Sequence, residues 1–311
     1  MQIGTLIQLQ LVIMLIILSG VFFSRKGLVS ATTQKQVTDW IINLILPCNI
    51  ISAFISQDMT REVFLQSVSV LVITALLQLF LVLFSRFFFM GSDPDHSCIM
   101  QYGLINSNAS FVALPILTEI YGPLGAMLTS SAVIPQRITM WTAGLSLFES
   151  RENKQDFKKL LRTIIFHPCI AAVYVGLVLM VLPVSYPYFV TKTLSSIGNC
   201  TLFLALFLVG VSASGMKIRD MFSREVLYFN IWRLLLLPIL VLAALYLLHV
   251  SEIVAGITVI MSGIPVGTTT AILCAKYGKD TAFASALTLS STILSLLTVP
   301  LLYQLVLLLF G

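Results

Sequence analysis

Residues 106–115 of the chain read NSNASFVALP, and residues 262–270 read SGIPVGTTT. Each stretch lies within an apolar segment, and each combines helix breakers with amide or hydroxyl side chains. Proline lacks the backbone N–H that a helix needs, and glycine disfavours the helix interior, so both stretches predict an interruption. Inside a bilayer, non-helical backbone is tolerated only where protein or a water-filled cavity satisfies the freed polar groups. The two stretches therefore predict a pair of broken membrane helices around an internal site.

The composition sets the class of protein. Of 311 residues, 58% are apolar and 10% are charged, whereas a soluble domain averages about 25% charged residues. The mean hydropathy is +1.00. These values exclude a cytosolic enzyme, a secreted module and a disordered scaffold. The net charge of +5 does not indicate a nucleic-acid partner, because the basic residues lie in short gaps between apolar runs, as in membrane proteins. We predict an all-α integral membrane protein in a lipid bilayer.

A membrane-spanning helix needs about 20 mostly apolar residues. Applied along the chain, this length predicts ten spans, at residues 6–23, 39–55, 63–84, 99–121, 124–147, 163–182, 194–213, 227–249, 253–276 and 281–310. The first run lacks a basic start and a small-residue cleavage site, so we interpret it as a membrane helix and not as a signal peptide.

The basic residues predict the orientation. Of the 18 Lys and Arg residues, 14 lie in loops on one side of this arrangement, and Arg61 and Lys192 lie on the other. Cytoplasmic loops are enriched in Lys and Arg, so the richer side is predicted to be cytoplasmic and both termini to be outside. The remaining two, Arg137 and Arg233, fall within predicted spans.

The longest polar segment, 149–162, divides the spans into five and five. Because five is odd, the second set enters the membrane inverted relative to the first, which is the topology of many secondary transporters. We therefore predict a first five-helix repeat at 1–148, a cytoplasmic loop at 149–162 and an inverted repeat at 163–311. Helices 4 and 9, which hold the two interrupted stretches, are predicted to break at equivalent positions of the two repeats.

The candidate substrate-binding residues follow from this pairing. Arg137 is predicted near the middle of the fifth span, where a charge is costly and needs a partner or a cavity. It is the candidate countercharge for an anion, and Gln136 is a neighbouring hydrogen-bonding group. The candidates in the interrupted helices are Asn106, Asn108, Pro115, Pro265, Thr268 and Thr269, and Asn49 beside Pro47 is a weaker cavity-lining candidate.

Purely structural explanations of these residues remain open at this point. Two proline kinks with Ser or Thr bonded back to the helix would explain the interrupted stretches by packing alone. Arg137 would then cap the carbonyls of a broken helix. Arg233, about two turns into the eighth span, is expected to snorkel to the membrane surface.

Other functional classes lack their motifs. The chain has no G-x-S-x-G, no H-E-x-x-H and no phosphate-binding glycine loop. Its five cysteines are odd in number and form no C-x-x-C pair, and its three histidines share no ligand spacing. We therefore expect no enzyme, no cofactor and no metal site.

The run Asn108 to Pro115, followed by Tyr121-Gly122, resembles the N-x-G-F-x-G-x-P…G signature of the auxin efflux carrier (PIN-like) family. The stretch from Pro265 to Asp280, and onward to Pro300, resembles its ninth and tenth helices, and the short central loop is similar to the prokaryotic members. The resemblance implies two inverted five-helix repeats, with helices 4 and 9 unwound and crossing at the middle of the membrane. It also implies transport of organic anions such as malate or an auxin-like acid, with Asn108, Pro115 and Pro265 at the crossing.

From this we expect a secondary transporter for a small organic anion in the plasma membrane of a bacterial cell. It is expected to work by alternating access, and a homodimer is a candidate assembly. Two alternatives are a sodium-coupled symporter of the same fold, and a membrane sensor that binds an anion without transporting it.

Overall fold

The computed structural model describes residues 3–56, 60–144, 146–148, 166, 168–181, 186–214, 222–267 and 269–311. Within these ranges the chain is helical, apart from loops and one isolated antiparallel bridge. The helices are α1 (Ile3–Arg25), α2 (Ala31–Ile55), α3 (Arg61–Phe88), α4 (Pro94–Ile105), α5 (Ala109–Gly144), α6 (Pro168–Val181), α7 (Tyr188–Gly198), α8 (Cys200–Ala213), α9 (Arg224–Leu247), α10 (Glu252–Ser262), α11 (Thr269–Lys276) and α12 (Thr281–Phe310).

These helices have the length and apolarity of membrane spans. In the part of the chain that the structure describes, six helical stretches are long and apolar enough to cross a bilayer, namely α2, α3, α5, α9, α12 and the stretch Tyr188–Val211. Three shorter apolar helices accompany them, at Leu11–Arg25, Pro168–Leu179 and Glu252–Ser262. The protein is therefore an all-helical, multi-pass membrane protein. The count of ten spans and the inverted repeat stay predictions.

Among the described residues, three helices contain the same local irregularity, a wide π-helical turn that is followed by a Leu-Pro pair. Proline cannot donate to the carbonyl four residues earlier, and its ring clashes with that carbonyl. A wide turn moves the carbonyl aside, as π-bulges do. The turns span Ile41–Ile45 before Pro47, Ala109–Ala113 before Pro115, and Trp232–Leu236 before Pro238.

Helix α5 bends at Gly122, whose backbone has φ 64° and ψ −153°. This conformation lies in the left-handed half of backbone space, where glycine has no steric penalty. The bend falls between the fourth and fifth predicted spans, which were placed at 99–121 and 124–147. The non-helical backbone at Gly122 therefore divides α5 into two helical stretches, one before and one after this residue.

The chain forms two compact units, and each draws on both halves of the sequence. The first unit comprises residues 1–68, 110–131 and 165–215, and the second comprises 69–109, 132–164 and 216–311. The predicted division into 1–148 and 163–311 describes two repeats along the sequence, which is a different property from these compact units. It stays a prediction. The predicted cytoplasmic loop 149–162 lies outside the described residues.

In the first unit, α1 and α8 pack at very short range. A Cβ atom on Gly20 would lie 2.1 Å from the Phe207 carbonyl oxygen, and one on Gly210 would lie 2.0 Å from the Ile17 carbonyl oxygen. Small residues that let helix backbones approach are typical of packing within membranes.

Candidate functional site

The second unit contains both predicted helix breaks. Helix α4 ends at Ile105 and α5 begins at Ala109, while α10 ends at Ser262 and α11 begins at Thr269. The unwound segments lie antiparallel, with Ser107 opposite Val266. We call residues 106–108 and 264–267 the crossing.

Two backbone hydrogen bonds hold the crossing together. The Asn108 amide donates to the Pro265 carbonyl at 2.8 Å, and the Gly267 amide donates to the Asn106 carbonyl at 2.9 Å. The predicted interruptions in the fourth and ninth spans are therefore present, and their freed backbone groups bond to each other as burial requires.

Side chains complete this bonding. The Asn106 side-chain amide donates to the Thr269 hydroxyl at 2.6 Å, which brings two predicted site residues into contact. The Val266 amide donates to the Ser291 hydroxyl oxygen at 3.1 Å. Gly267 lies so close to Asn106 that an added Cβ would be 2.6 Å from Asn106 Nδ2. Sequence reasoning gave no role to Gly267 or Ser291. The sequence feature that could have indicated a role for Gly267 is the presence of a residue without a side chain inside a predicted helix break.

Gln136 on α5 forms hydrogen bonds with both the hydroxyl and the carbonyl of Ser107. The Ser107 hydroxyl donates to Gln136 Oε1 at 2.9 Å, and Gln136 Nε2 donates to the Ser107 carbonyl at 2.7 Å. Both residues are buried. Gln136 was predicted as a hydrogen-bonding group for substrate. Its contacts here stabilise the first break, and a contact with substrate stays a prediction.

Replacing Gln136 with leucine is expected to lower the free energy of unfolding by about 1–3 kcal/mol. The substitution leaves the buried Ser107 carbonyl without a donor, and an unsatisfied buried group carries a penalty of that size. Thermal unfolding of the detergent-solubilised protein measures the change. Gln36→Leu is the matched control, because Gln36 is exposed on α2. Equal stability of the two variants would contradict the assigned role.

Arg233 on α9 is the buried charge at the crossing. It is 2% exposed, and it donates from Nε to the Ile264 carbonyl at 2.9 Å and from Nη1 to the Leu104 carbonyl at 2.7 Å. The expectation that Arg233 snorkels is wrong. The reason is that Arg233 lies in the wide turn before Pro238 and faces carbonyls that two helix breaks have freed.

The helix ends at the crossing have opposite electrostatic character. A helix carries roughly half a negative charge at its C-terminal end and roughly half a positive charge at its N-terminal end. The C-terminal ends of α4 and α10 together present about one negative charge, which Arg233 balances. The N-terminal ends of α5 and α11 have no acidic residue in their first turns. The remaining positive ends favour an anion.

Asn108 supplies a further donor. The residue is 4% exposed, and its side-chain nitrogen has no hydrogen-bond acceptor among the described residues. A buried amide donor without a partner is unfavourable unless a ligand or water accepts from it. This donor therefore suits a carboxylate.

The structure does not place every predicted residue at the crossing. Arg137 on α5 is partly exposed, and its Nη1 contacts Met140 Sδ at 3.7 Å. Pro115 and Asn49 belong to the first unit. Thr268 lies outside the described residues.

A cavity within the second unit adjoins the crossing. Its polar lining consists of Thr74, Gln78, Ser107, Gln136, Arg233, Thr258 and Ser262. The hydroxyls of Thr74, Thr258 and Ser262 all donate to carbonyls of their own helices, so their oxygens are left as acceptors. Arg233 Nη2 has no acceptor among the described residues. The cavity has about 20 Å³ of space for the centre of a water-sized molecule, which suits one ordered water.

A second cavity, of about 170 Å³, lies within the first unit. Among the described residues, its polar lining carries hydroxyl and amide groups, from Asn49, Ser52, Ser56, Thr118, Ser195 and Asn199. Asn49 donates to the Gly198 carbonyl at 3.2 Å, and its Oδ1 has no donor among the described residues. Asn49 therefore lines a cavity, and whether it contacts a substrate stays a prediction.

Multiple apolar helices and a paired helix break with satisfied backbone are features of membrane transporters. The chain belongs to the membrane transport protein family, whose model matches residues 5–303. This confirms the auxin efflux carrier family that the motifs predicted, whose members are transporters and not enzymes. None of the curated proteins compared with the chain matches it.

Proposed function

We propose that the protein is a secondary transporter that moves a small organic anion, a carboxylate such as malate or an auxin-like acid, across the bacterial plasma membrane. The observation that carries this proposal is the charge distribution at the crossing. Arg233 balances the two C-terminal helix ends, while the N-terminal ends at Ala109 and Thr269 are left positive. Both termini are proposed to lie outside the cell, as the distribution of basic residues predicts.

The candidate site residues have separate proposed roles. Asn108 Nδ2 and the hydroxyls of Thr268 and Thr269 would donate hydrogen bonds to the carboxylate, and Arg137 would supply a countercharge. Pro115 and Pro265 keep the helices from closing over the breaks, because neither can donate a helical hydrogen bond. The site is then exposed alternately to the two sides of the membrane.

Uptake into proteoliposomes tests this proposal. We expect saturable uptake of radiolabelled malate or a labelled monocarboxylate, and about a tenfold or greater loss for Arg137→Gln, because removing a countercharge weakens anion binding. Arg86→Gln is the matched control, since Arg86 is exposed near the end of α3. Undiminished uptake by Arg137→Gln would show that Arg137 is not part of the site.

The same assay separates the alternatives. Uptake that needs a sodium gradient, and that potassium does not support, would indicate a sodium-coupled symporter. The crossing offers little support for sodium, because the freed Leu104 and Ile264 carbonyls already bond Arg233. Saturable binding without uptake would indicate a sensor and would overturn the transport proposal.

A further inference from the structure

His96 lies in the first turn of α4, between two carboxylates of other helices. Its Nδ1 is 2.6 Å from Glu225 Oε2, and its Nε2 is 3.4 Å from Asp280 Oδ2. Its ring stacks on the Phe283 ring, with centroids 3.8 Å apart and planes 8° from parallel. His96 precedes the predicted span 99–121, so we expect it near the membrane surface.

These contacts join the starts of three helices in the second unit. Glu225 is in the first turn of α9, and Asp280 is the N-cap of α12, where it accepts from the Phe283 amide at 2.9 Å. Beside them, Lys279 pairs with Asp95 in the first turn of α4. We call His96, Asp95, Glu225, Lys279 and Asp280 the helix-start cluster.

The geometry favours the protonated form of the His96 ring. A neutral imidazole has one N–H donor and one lone pair, whereas an imidazolium has two donors. Since both ring nitrogens of His96 face carboxylate oxygens, only the protonated ring can donate to both. With a neutral ring, the four other members of the cluster carry three negative charges and one positive charge, and one ring lone pair points at a carboxylate. Protonation relieves both conflicts.

We propose that His96 is a pH-sensitive latch, whose protonated ring ties the starts of α4, α9 and α12 together and whose neutral ring releases them. Helix α4 runs from His96 to the crossing, and the turn that carries Lys279 follows α11, which runs from the crossing. Helices α4 and α11 each join the crossing at one end to the helix-start cluster at the other. The latch does not depend on the identity of the transported molecule.

The direction of the pH dependence follows from the neighbours. Burial lowers the pKa of His96, but the hydrogen bonds and charges of Glu225 and Asp280 outweigh it and raise the pKa above its ordinary value of 6.5. The pKa of Asp280 is lowered, first by the Phe283 amide and also by His96, and the pKa of Lys279 is raised by Asp95. A raised histidine pKa means that the latch is fully closed below about pH 6.5 and opens as the pH rises through the raised value.

Hydrogen–deuterium exchange of the detergent-solubilised full chain tests the latch. After correction for intrinsic exchange rates, amides at the starts of α4 and α12 are expected to exchange about two- to fivefold more slowly at about pH 6 than at about pH 8.5. The start of α10 is the internal reference, because its N-cap Ser251 and first-turn Glu252 lie outside the cluster.

The variant His96→Gln keeps hydrogen-bonding capacity without a titratable charge and is expected to abolish the pH dependence. His249→Gln, at an exposed histidine after α9, is the matched control and is expected to retain it. A flat profile in the wild type, or an unchanged profile in His96→Gln, would overturn the proposal. The wild-type profile decides the question even where the variant folds poorly.

Discussion

Replacing Arg233 with methionine is expected to abolish transport and to lower the free energy of unfolding by about 3–6 kcal/mol. The guanidinium makes two hydrogen bonds to buried carbonyls, at 2.9 and 2.7 Å. A hydrogen bond to a charged group contributes about 1.5–3 kcal/mol, and its loss leaves a buried acceptor unpaired. The substitution also exposes two C-terminal helix ends to each other without a cation between them. Thermal unfolding and proteoliposome uptake measure the two effects.

Two companion variants separate position from charge. Arg86→Met removes a charge from an exposed site near the end of α3 and is expected to be close to wild type. Arg233→Lys keeps the charge but lacks the planar fork that reaches two carbonyls at once, so an intermediate stability is expected. If Arg233→Met were as stable and active as Arg86→Met, Arg233 would not hold the crossing.

The positions of the breaks could be predicted because their causes are local. Pro265 and Gly267 disfavour a helix by their own backbone chemistry, and Asn106 and Asn108 offer side chains that compete with helical hydrogen bonds. A twenty-residue apolar run around each stretch then identifies the helix that is broken. The bend at Gly122 falls between two predicted spans, 99–121 and 124–147, which were placed by the length of their apolar runs.

The roles of the two arginines could not be read from sequence. Distance from a helix end suggested that Arg233 reaches the surface and that Arg137 is the deep charge. The side chain of Arg233 is instead directed by a wide turn that Pro238 imposes five residues later, and its acceptors come from α4 and from the loop after α10. Such long-range contacts depend on tertiary packing, which no local pattern specifies.

The hydrogen-bond partners across the crossing could not be predicted from the sequence either, because they also depend on tertiary packing. Gln136 was singled out as a neighbour of Arg137, whereas its contact is Ser107, 29 residues away. Ser291 had no assigned role, yet its hydroxyl oxygen accepts a hydrogen bond from the Val266 amide. The residue types were informative because buried polar groups need partners, but the pairing itself requires the fold.

Replacing Gly267 with alanine is expected to disrupt the crossing and to reduce uptake at least tenfold. The new Cβ would lie 2.6 Å from Asn106 Nδ2 and 3.0 Å from Asn106 Cγ. Asn106 cannot move aside freely, because its side chain bonds Thr269 and its carbonyl bonds the Gly267 amide. Relief of the overlap therefore breaks one of these bonds, and overpacking of this kind costs about 1–3 kcal/mol.

A double-mutant cycle identifies the cause. Gly103→Ala is the matched control, because its Cβ would meet side-chain carbons of Phe229 at 3.3 Å and of Val266 at 3.4 Å without overlap, and we expect near-wild-type stability. In Gly267→Ala combined with Asn106→Ala, the shortened side chain removes the overlap, so the double variant is expected to be less destabilised than the sum of the single variants. Additive losses would place the effect of Gly267→Ala in backbone conformation. Less-than-additive losses assign it to the contact with Asn106, and thus to the close approach of the two broken helices on which the proposed anion site depends.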